Sequence, residues 1–390
     1  MHYRTFGKLD WQPSALGFGA MRLPTIDNDP AQIEEAEATR MVRYAIDHGV
    51  NYVDTAYPYH REHSEPFLGR ALQDGYRQRV KLATKMPCWL IKKTADFDRY
   101  LDEQLERLQT DHVDFYLLHG LNVERWPAMR DLEVLPWAEG ALADGRIGYL
   151  GFSFHDQYQV FQDIVDATDL WTFCQIQYNF MDVEYQAGTK GLKYAAEKGL
   201  AVVVMEPLRG GRLTKSVPPA VQEIWDSAPA GTSSANRSPA EWALQWVWNQ
   251  AEVSVVLSGM SRMEHVVQNV ESASRSGVGT LANEELALYA RVRKAYEALS
   301  PIPCTDCKYC LPCPNGVNIP RVFEVYNDLM MYGDDQRAHM VYNTFLKEEE
   351  RADNCIECGE CLEQCPQQIE IPDWLAKVHA VLCQEEDPAR

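Results

Sequence analysis

Short apolar segments alternate with amphipathic stretches along the first three quarters of the chain. Eight of the apolar segments predict β-strands, at 16–19, 51–56, 80–85, 113–120, 149–153, 173–179, 200–207 and 253–259. The stretches between them, such as 98–108, 190–198 and 239–250, carry apolar side chains at helical spacing. The runs AVVVM and VSVVL are almost continuously apolar, as expected of parallel strands buried on both faces. The pattern predicts an α/β domain.

The order of these elements favours a closed barrel. Eight βα units within about 275 residues are what a (β/α)8 TIM barrel requires. A doubly wound open sheet is the alternative, but no GxGxxG motif follows the first predicted strand. The segment 214–237 follows the seventh strand and is rich in Pro, Ser, Ala and Gly. It is either a flap over the barrel mouth or a disordered insertion.

A change of composition marks a second domain. Four prolines interrupt the chain between 301 and 314, and most of the cysteines follow from 304 onwards. Residues 321–333 and 335–350 have the pattern of two helices. We therefore predict a (β/α)8 barrel at 1–296 and a small, mainly helical domain at 297–390.

Eight of the eleven cysteines form two closely spaced runs. The second run, at 355, 358, 361 and 365 followed by proline, has the C-x2-C-x2-C-x3-C-P spacing of bacterial iron–sulfur proteins. The first run, at 304, 307, 310 and 313, has a last gap that is one residue shorter. Paired C-x-x-C steps also build zinc sites, and disulfides are a further alternative. The third step in each run and the closing Cys-Pro pair favour iron–sulfur clusters.

Both runs resemble the two 4Fe–4S motifs of bacterial ferredoxins. The resemblance covers about 297–390 and implies two 4Fe–4S clusters whose fourth ligands are exchanged between the runs. The first cluster is then held by Cys304, Cys307, Cys310 and Cys365. The second is then held by Cys355, Cys358, Cys361 and Cys313. The cysteines outside both runs are predicted not to be ligands: Cys88, Cys383 and Cys174, the last of which is expected in the core.

The charge of the chain limits its partners. The net charge is −20, which argues against nucleic acid and an anionic membrane surface as partners. No apolar run is long enough for a transmembrane helix, and the start, MHYRTFGKLDW, carries no apolar signal region, so we expect a cytoplasmic protein. The segment 297–390 contains 18 Asp and Glu but 7 Lys and Arg. This excess is either a solvated surface or a docking face for a basic redox partner protein.

Polar side chains lie at the ends of three neighbouring predicted strands. Asp54 ends the second strand and Tyr59 follows in its loop, while Lys85 and His119 end the third and the fourth. Active sites of barrel enzymes lie at the C-terminal ends of the strands, so we expect the four side chains to converge. Each alone would be an ordinary surface or hydrogen-bonded residue, so the prediction depends on all four.

The barrel segment resembles the aldo-keto reductase superfamily over about 3–275. The resemblance is carried by GFGAM (17–21), GVNYVDTAYPYH (49–60), ATK (83–85), LERLQTDHVDFYLLHG (105–120), GFS (151–153), QIQYN (175–179) and MEPLRGG (205–211). It implies a catalytic tetrad of Asp54, Tyr59, Lys85 and His119. Tyr59 then donates a proton to a carbonyl oxygen as hydride reaches the carbon, and Lys85 lowers the pKa of Tyr59. Asp54 keeps Lys85 charged, and His119 positions the carbonyl.

The same resemblance implies a nicotinamide cofactor, NADP or NAD. It places the cofactor contacts at Met21, Asp54, Ser153, Gln175, Leu208, Gly210, Gly259, Arg262, Gln268 and Asn269. Gly259 and His265 stand where NADPH-preferring members often have Lys and Arg for the 2′-phosphate, and Arg262 is the candidate to replace them. Met205 stands where many members have an aromatic ring that stacks on nicotinamide.

These observations lead us to expect an oxidoreductase that interconverts a small-molecule carbonyl and an alcohol with NAD(P)H and carries two 4Fe–4S clusters. Nicotinamide moves two electrons at once whereas each cluster moves one. Coupling the two therefore needs a converter, for which a flavin in the barrel or on a partner is a candidate. The alternatives are an electron-transfer or redox-sensing protein whose barrel is a non-catalytic scaffold, and an interaction protein with structural clusters.

Overall fold

The computed structural model describes residues 1–215, 217–228, 236–304, 308–365 and 367–383. The chain separates into two compact units. The first consists of Met1–Gly210 with Ala240–Ala282, and the second of Gly211–Pro239 with Asn283–Arg390. This division differs from the domain boundary predicted between 296 and 297, because the helix Asn283–Glu297 and the segment after the seventh strand group with the C-terminal residues.

Eight parallel strands form a closed barrel in the first unit. In chain order they are β1 (Leu16–Gly19), β2 (Tyr52–Asp54), β3 (Lys81–Met86), β4 (Val113–Leu121), β5 (Ile147–Phe154), β6 (Trp171–Gln177), β7 (Ala201–Met205) and β8 (Val253–Gly259). Each strand pairs with the next one, and β8 pairs with β1. The predicted (β/α)8 TIM barrel is confirmed. The alternative prediction of an open, doubly wound sheet is wrong, because β8 pairs with β1 and closes the sheet.

The α-helices follow the strands around the barrel and continue into the second unit. In chain order they are α1 (Glu35–Asp47), α2 (Ser64–Ala71), α3 (Ala95–Leu108), α4 (Arg125–Asp131), α5 (Val134–Ala143), α6 (Tyr158–Val165), α7 (Gly188–Glu197), α8 (Arg212–Lys215), α9 (Pro219–Asp226), α10 (Pro239–Trp248), α11 (Met263–Ala273), α12 (Asn283–Glu297), α13 (Ile319–Tyr332), α14 (Asp335–Met340), α15 (Glu360–Gln364) and α16 (Ile371–Leu382). No helix among the described residues is long and apolar enough to cross a membrane.

The barrel interior follows the period of two that a strand imposes on its side chains. An apolar layer fills its N-terminal half with Tyr52, Ala83, Phe115, Leu117, Phe173, Ala201, Val203, Val255 and Leu257. Phe6 closes this layer, with ring centroids 4.8 Å from Phe115 and 5.7 Å from Phe173. Two positions beyond members of this layer, on the same strands, stand Asp54, Lys85, His119 and Gln175. The layer therefore directs these polar side chains into the C-terminal half of the barrel.

An apolar core formed by α13, α14 and α16 holds the second unit together. Its buried members include Val322, Phe323, Val378 and Leu382. The second unit is mainly helical, as predicted, but the helix predicted over 335–350 is interrupted. α14 ends at Met340, and a π-helical turn spans Val341–Phe345.

The segment after β7 belongs to the second unit. Its described residues include the helices α8 and α9, whereas the sequence predicted either a flap loop or a disordered insertion. Trp225 of α9 packs edge-on against Tyr289 of α12, with ring centroids 5.2 Å apart. Arg237 forms an ion pair with Glu285 of α12 (2.7 Å). Residues 216 and 229–235 of the predicted flap lie outside the described residues.

Candidate active site and cluster sites

Lys85, near the end of β3, is the centre of the candidate active site. Its side chain is 1% exposed, and its ammonium group donates to Asp54 Oδ1 (2.6 Å) and to the carbonyl oxygen of Thr55 (2.6 Å). The hydroxyl oxygen of Tyr59 lies 3.5 Å from the same nitrogen. An ammonium group has three N–H donors, so these three oxygens account for all of them. The structure therefore brings three of the four predicted residues together around one nitrogen atom.

Electrostatics determines the protonation states of Lys85 and Tyr59. Burial alone would lower the pKa of Lys85, but Asp54 and Tyr59 together raise it, so the net direction is upward and Lys85 is an ammonium ion. Burial raises the pKa of Tyr59 and outweighs the lowering effect of Lys85. The net direction for Tyr59 is thus opposite to the expected lowering, because burial outweighs the neighbouring charge. At neutral pH Tyr59 is a neutral phenol that can donate a proton.

His119 reaches the same place from β4. Its ring centroid lies 6.2 Å from that of Tyr59 and 5.1 Å from that of Trp89. In the part of the chain that the structure describes, its buried Nδ1 has no hydrogen-bond partner. Burial lowers the pKa of His119 well below its usual value, and the positive charges of Lys85 and Arg125 lower it further. His119 is therefore a neutral imidazole with one N–H that can bind an oxygen atom.

The ends of β5 and β6 fit the carboxamide of a nicotinamide ring. Ser153 Oγ accepts the N–H of Gly120 (2.7 Å), which leaves its own O–H able to donate. The Gln175 amide acts to lower the pKa of Asp54, although burial raises that pKa overall, and its buried Oε1 has no partner among the described residues. A carboxamide brings one acceptor and an NH2 donor, and these two side chains match both.

The other predicted cofactor contacts lie at the ends of β7, β8 and β1, which are neighbours in the closed barrel. They are Leu208 and Gly210 after β7, Gly259 and Arg262 at and after the end of β8, Gln268 and Asn269 in α11, and Met21 after β1. Asn269 is buried and donates to Ser258 Oγ (3.1 Å), which ties α11 to β8. A Cβ atom on Gly259 would lie 3.2 Å from the side chain of Arg22, so Arg22 fills the space beside Gly259.

Four further side chains at the same end of the barrel were not predicted from the sequence. They are Arg22 after β1, Trp89 after β3, Arg125 after β4 and His155 after β5. Trp89 contacts the ring of His119, and the charge of Arg22 acts on Tyr59. They could have been found from their positions in the sequence, since each follows the end of a predicted strand by no more than a few residues.

Thiols from both cysteine runs line one cavity in the second unit. Its volume is about 400 Å³, and its walls include Cys313 of the first run with Cys355, Cys358 and Cys361 of the second. Burial raises the pKa of the Cys361 thiol, and the other three thiols raise it further. Cys313 is therefore a close neighbour of the second run, as a ligand of the same cluster must be.

A second cavity is lined by three of the described cysteines, one of which, Cys310, also lines the first cavity. Cys304, Cys310 and Cys365 contribute to its walls, together with Lys308. Cys307, the remaining predicted ligand, lies outside the described residues. The structure thus places Cys365 beside Cys304 and Cys310 of the first run, and Cys313 beside three cysteines of the second. This arrangement supports the exchange of fourth ligands that the ferredoxin resemblance implies.

A single metal ion and a 4Fe–4S cluster need different spacings of their ligands. A zinc ion binds its four ligands at about 2.0–2.3 Å. Among the residues described, no three Cys, His, Asp or Glu side chains approach closely enough to hold one metal ion. The thiolates of a 4Fe–4S cluster bind different iron atoms and surround a larger volume. The cavity lined by Cys313 and the second run has a volume of about 400 Å³.

Two copies of one short structure position the exchanged cysteines. The sequences CPNGVNIP and CPQQIEIP begin at Cys313 and Cys365. In each copy the third residue after the cysteine donates its N–H to the cysteine carbonyl, from Gly316 to Cys313 (2.9 Å) and from Gln368 to Cys365 (3.1 Å). α13 and α16 each begin six residues after these cysteines and pack together. Our sequence interpretation missed this repeat, although its Cys-Pro and Ile-Pro pairs have equal spacing.

Two sequence models of known families match the chain. The sequence model of the 4Fe-4S dicluster domain matches residues 303–370. The sequence model of the Aldo/keto reductase family matches residues 15–278.

Individual relatives match the barrel segment. L-galactose dehydrogenase of Arabidopsis thaliana is 28% identical over 284 residues, which cover 70% of this chain and 88% of the relative. An aldo-keto reductase from Bacillus halodurans in its holo form has a TM-score of 0.62 at 27% identity and covers 75% of this chain and 96% of its own. An aldo-keto reductase from Klebsiella pneumoniae in complex with NADPH has a TM-score of 0.59 at 26% identity, with the same coverage. The chain therefore belongs to the aldo/keto reductase family.

Proposed function

We propose that the barrel reduces the carbonyl group of a small molecule, or oxidises the corresponding alcohol, with NAD(P)H as the hydride donor. The chain is an oxidoreductase of the aldo-keto reductase type, and the proposal concerns how its site works. The observation that carries it is the set of contacts from Lys85 to Asp54, Thr55 and Tyr59 at the C-terminal end of the barrel.

The task of each residue follows from its protonation state. The His119 N–H and the Tyr59 O–H bind the carbonyl oxygen and orient the carbon. NAD(P)H, when bound, supplies the hydride to that carbon. Tyr59 gives its proton to the oxygen on which negative charge develops, and the Lys85 ammonium stabilises the resulting phenolate. Asp54 keeps Lys85 charged and oriented, and Tyr59 regains its proton from water.

The cofactor contacts extend from this group around the barrel. Ser153 and Gln175 would hold the carboxamide, the loop with Leu208 and Gly210 would bind the pyrophosphate, and Gln268 and Asn269 would bind the adenine end. Two cations, Arg22 beside Gly259 and Arg262 before α11, favour NADPH over NADH, because a 2′-phosphate adds negative charge. The ratio of the dissociation constants for NADPH and NADH, measured by calorimetry, tests this preference.

Isotope transfer tests the proposed reaction. Protein purified without oxygen is incubated with NADPH deuterated at C4 of the nicotinamide and a panel of aldehydes. We expect deuterium in the alcohol product. Tight NADPH binding without isotope transfer to any aldehyde would instead favour the electron-transfer or sensing protein with a scaffold barrel.

We further propose that the second unit holds two 4Fe–4S clusters. One is bound by Cys304, Cys307, Cys310 and Cys365, and the other by Cys313, Cys355, Cys358 and Cys361. The two thiol-lined cavities and the paired hydrogen bonds to the carbonyl oxygens of Cys313 and Cys365 support this assignment. Analysis of iron and acid-labile sulfide should give about eight of each per chain.

The cluster of the second run is the one that faces a redox partner. Cys358 is exposed, and beside this cavity Tyr309 and Ile356 are 66% and 68% exposed. Exposed glutamates lie among them, at Glu357, Glu360 and Glu363. Apolar side chains ringed by negative charge fit a basic partner protein. A flavin, on the partner or in the barrel, is the candidate that divides a hydride into single electrons, and flavin analysis of the purified protein tests the latter.

A further inference from the structure

We propose that Arg125 binds an anionic group of the substrate, so that the barrel acts on carbonyl compounds that carry a carboxylate or a phosphate. The inference rests on the proposed carbonyl chemistry and names its substrate class. It comes from a guanidinium group that the structure holds beside His119 without a counter-ion.

The loop between β4 and α4 fixes the backbone of Arg125. Asn122 Oδ1 accepts the N–H of Arg125 (2.7 Å) and that of Glu124 (3.1 Å). Asp156, which follows β5, accepts the N–H of Val123 (2.7 Å) through Oδ2. The loop is therefore held from its own side chain and from the next strand. A binding group on a fixed loop loses little entropy when its ligand arrives.

The side chain of Arg125 is held as firmly as its backbone. Nη1 donates to the carbonyl oxygen of Gly120 (2.8 Å), and the guanidinium carbon lies 5.6 Å from the ring centroid of Trp89. Gly120 has a φ of 64°, in the left-handed region that favours glycine. A Cβ atom at this position would lie 2.9 Å from Arg125 Nη1. The close approach therefore depends on glycine as the residue after His119.

These contacts place the guanidinium group next to the reacting centre. Its acceptor, Gly120, directly follows His119, and Trp89 contacts both His119 and Arg125. The positive charge of Arg125 also contributes to the lowered pKa of His119. A carbonyl oxygen bound by His119 and Tyr59 thus has a fixed cation within reach of a group a few bonds away.

Arg125 differs from other arginines of the barrel in its lack of an ion pair among the described residues. Arg107 forms ion pairs with Glu62, Glu65 and Glu103, and Arg146 forms ion pairs with three aspartates. Within the described ranges no carboxylate lies at ion-pair distance from Arg125. A guanidinium group has five N–H donors, arranged to match the paired oxygens of a carboxylate or phosphate. In a chain of net charge −20, a cation left without a counter-ion at this place is suited to a ligand anion.

The position of Arg125 separates it from the phosphates of the cofactor. The proposed pyrophosphate and adenine contacts follow β7 and β8, and Arg22 follows β1. β4 lies across the closed barrel from β8. The anion at Arg125 therefore belongs to the substrate.

Matched substrates test the inference on the holoenzyme. The pairs are succinic semialdehyde with butanal, and glyceraldehyde phosphate with glyceraldehyde, and the readout is the ratio of kcat/KM within each pair. We expect the wild type to prefer the anionic member of at least one pair, which also identifies carboxylate or phosphate as the group. Arg125→Gln should lower that preference by about 10- to 100-fold, as loss of a charge-assisted hydrogen bond does. Arg125→Lys should keep part of it.

Arg130→Gln is the matched control, since Arg130 is on the same short helix but exposed and paired with Asp131 (3.4 Å). It should leave the ratios unchanged. Calorimetric binding of succinate and of inorganic phosphate gives a readout that needs no turnover, and Arg125→Gln should abolish it. Equal kcat/KM for both members of each pair would overturn the inference while the carbonyl chemistry stands. If no carbonyl compound is turned over but the wild type binds anions and Arg125→Gln does not, the proposed carbonyl chemistry is overturned while the anion site stands.

Discussion

The barrel and the second unit hold their reactive side chains by different means. In the barrel, Lys85 is buried and its three donors face oxygens of the protein itself, so the group is complete without a ligand. In the second unit, the thiols line open volume, and the pKa of Cys361 is raised by burial first and then by the negative charge of the neighbouring thiols. Positive metal centres, when bound, allow these thiols to be thiolates together. The barrel site is therefore preorganised by folding, whereas the cluster sites are finished by cluster insertion.

The strongest test of this comparison removes the preorganised group. Tyr59→Phe keeps the ring but removes the proton donor, so we expect a loss of turnover of about 10²- to 10⁴-fold, with unchanged iron content. Lys85→Met should be at least as damaging, because it leaves Asp54 buried and unpaired. Steady-state rates and iron analysis on the same samples measure both effects.

Lys81→Met is the matched control for Lys85→Met. Lys81 begins β3 and pairs with Asp114 (2.8 Å), so its loss removes the same kind of charge from the other end of the strand. We expect turnover close to that of the wild type. If Tyr59→Phe also remained within a few-fold of the wild type, the tetrad would not be catalytic, and the barrel would be better explained as a scaffold.

The next test concerns the exchange of ligands between the two cysteine runs. Cys313→Ser should remove the cluster of the second run, and Cys365→Ser that of the first, so each variant should lose about half of its iron. Electron paramagnetic resonance of the reduced proteins identifies which cluster is lost. Cys383→Ser, an exposed thiol outside both runs, is the control. The assignment is wrong if Cys313→Ser removes the same signal as Cys304→Ser.

The barrel could be predicted from the sequence because a buried parallel strand appears as a short run of apolar residues. All eight strands are apolar runs, and the tetrad stands where strands end, so both needed only spacing and the rule for barrel active sites. The side chain of Arg125 could not be placed, because its position depends on the left-handed backbone of Gly120 and on contact with Trp89. Its position after β4 was nevertheless visible.

Long-range contacts explain the other differences. The predicted helix over 335–350 changes to a π-helical turn where Tyr342 is buried and its hydroxyl pairs with His379 Nδ1 (2.8 Å). Trp225, in the supposed flap, packs against Tyr289, far along the chain. No local pattern contains such partners. The predicted lowering of the Tyr59 pKa was wrong for the same reason. Burial raises that pKa, and burial is a property of the folded chain.

The free energy of unfolding of the barrel should depend on pH because a carboxyl group is buried behind the candidate active site. Glu65 is buried behind Lys85: Gln104 Nε2 donates to Glu65 Oε1 (2.5 Å) and to the carbonyl oxygen of Lys85 (3.1 Å). Burial raises the pKa of Glu65 from 4.5 to about 7. The folded chain therefore keeps a proton that the unfolded chain releases, and this stabilisation is full below the unfolded pKa and is lost as pH rises through about 7.

Glu65→Gln, which cannot ionise, reveals this effect. Between about pH 5 and pH 8, the free energy of unfolding of the wild type should fall by up to about 3 kcal/mol relative to the variant. Urea unfolding of the barrel, followed by tryptophan fluorescence, measures the difference. Parallel pH profiles of the two proteins would mean that Glu65 titrates normally and that the network behind Lys85 adds no such pH dependence.

The smallest effect concerns the surface of the second unit, where function depends on encounter rather than on a preorganised site. Glu357→Gln and Glu360→Gln each remove one negative charge beside Ile356 and the cavity of the second run. With dithionite-reduced protein and cytochrome c as a basic electron acceptor, we expect each variant to transfer electrons about two- to five-fold more slowly at low ionic strength. The difference should vanish at high salt, because exposed charges are then screened. Glu284→Gln removes an exposed charge from α12 and should change the rate less. Equal slowing by all three variants would mean that only net charge steers the encounter, and the acidic surface around Ile356 would then be a solvated face rather than a docking site.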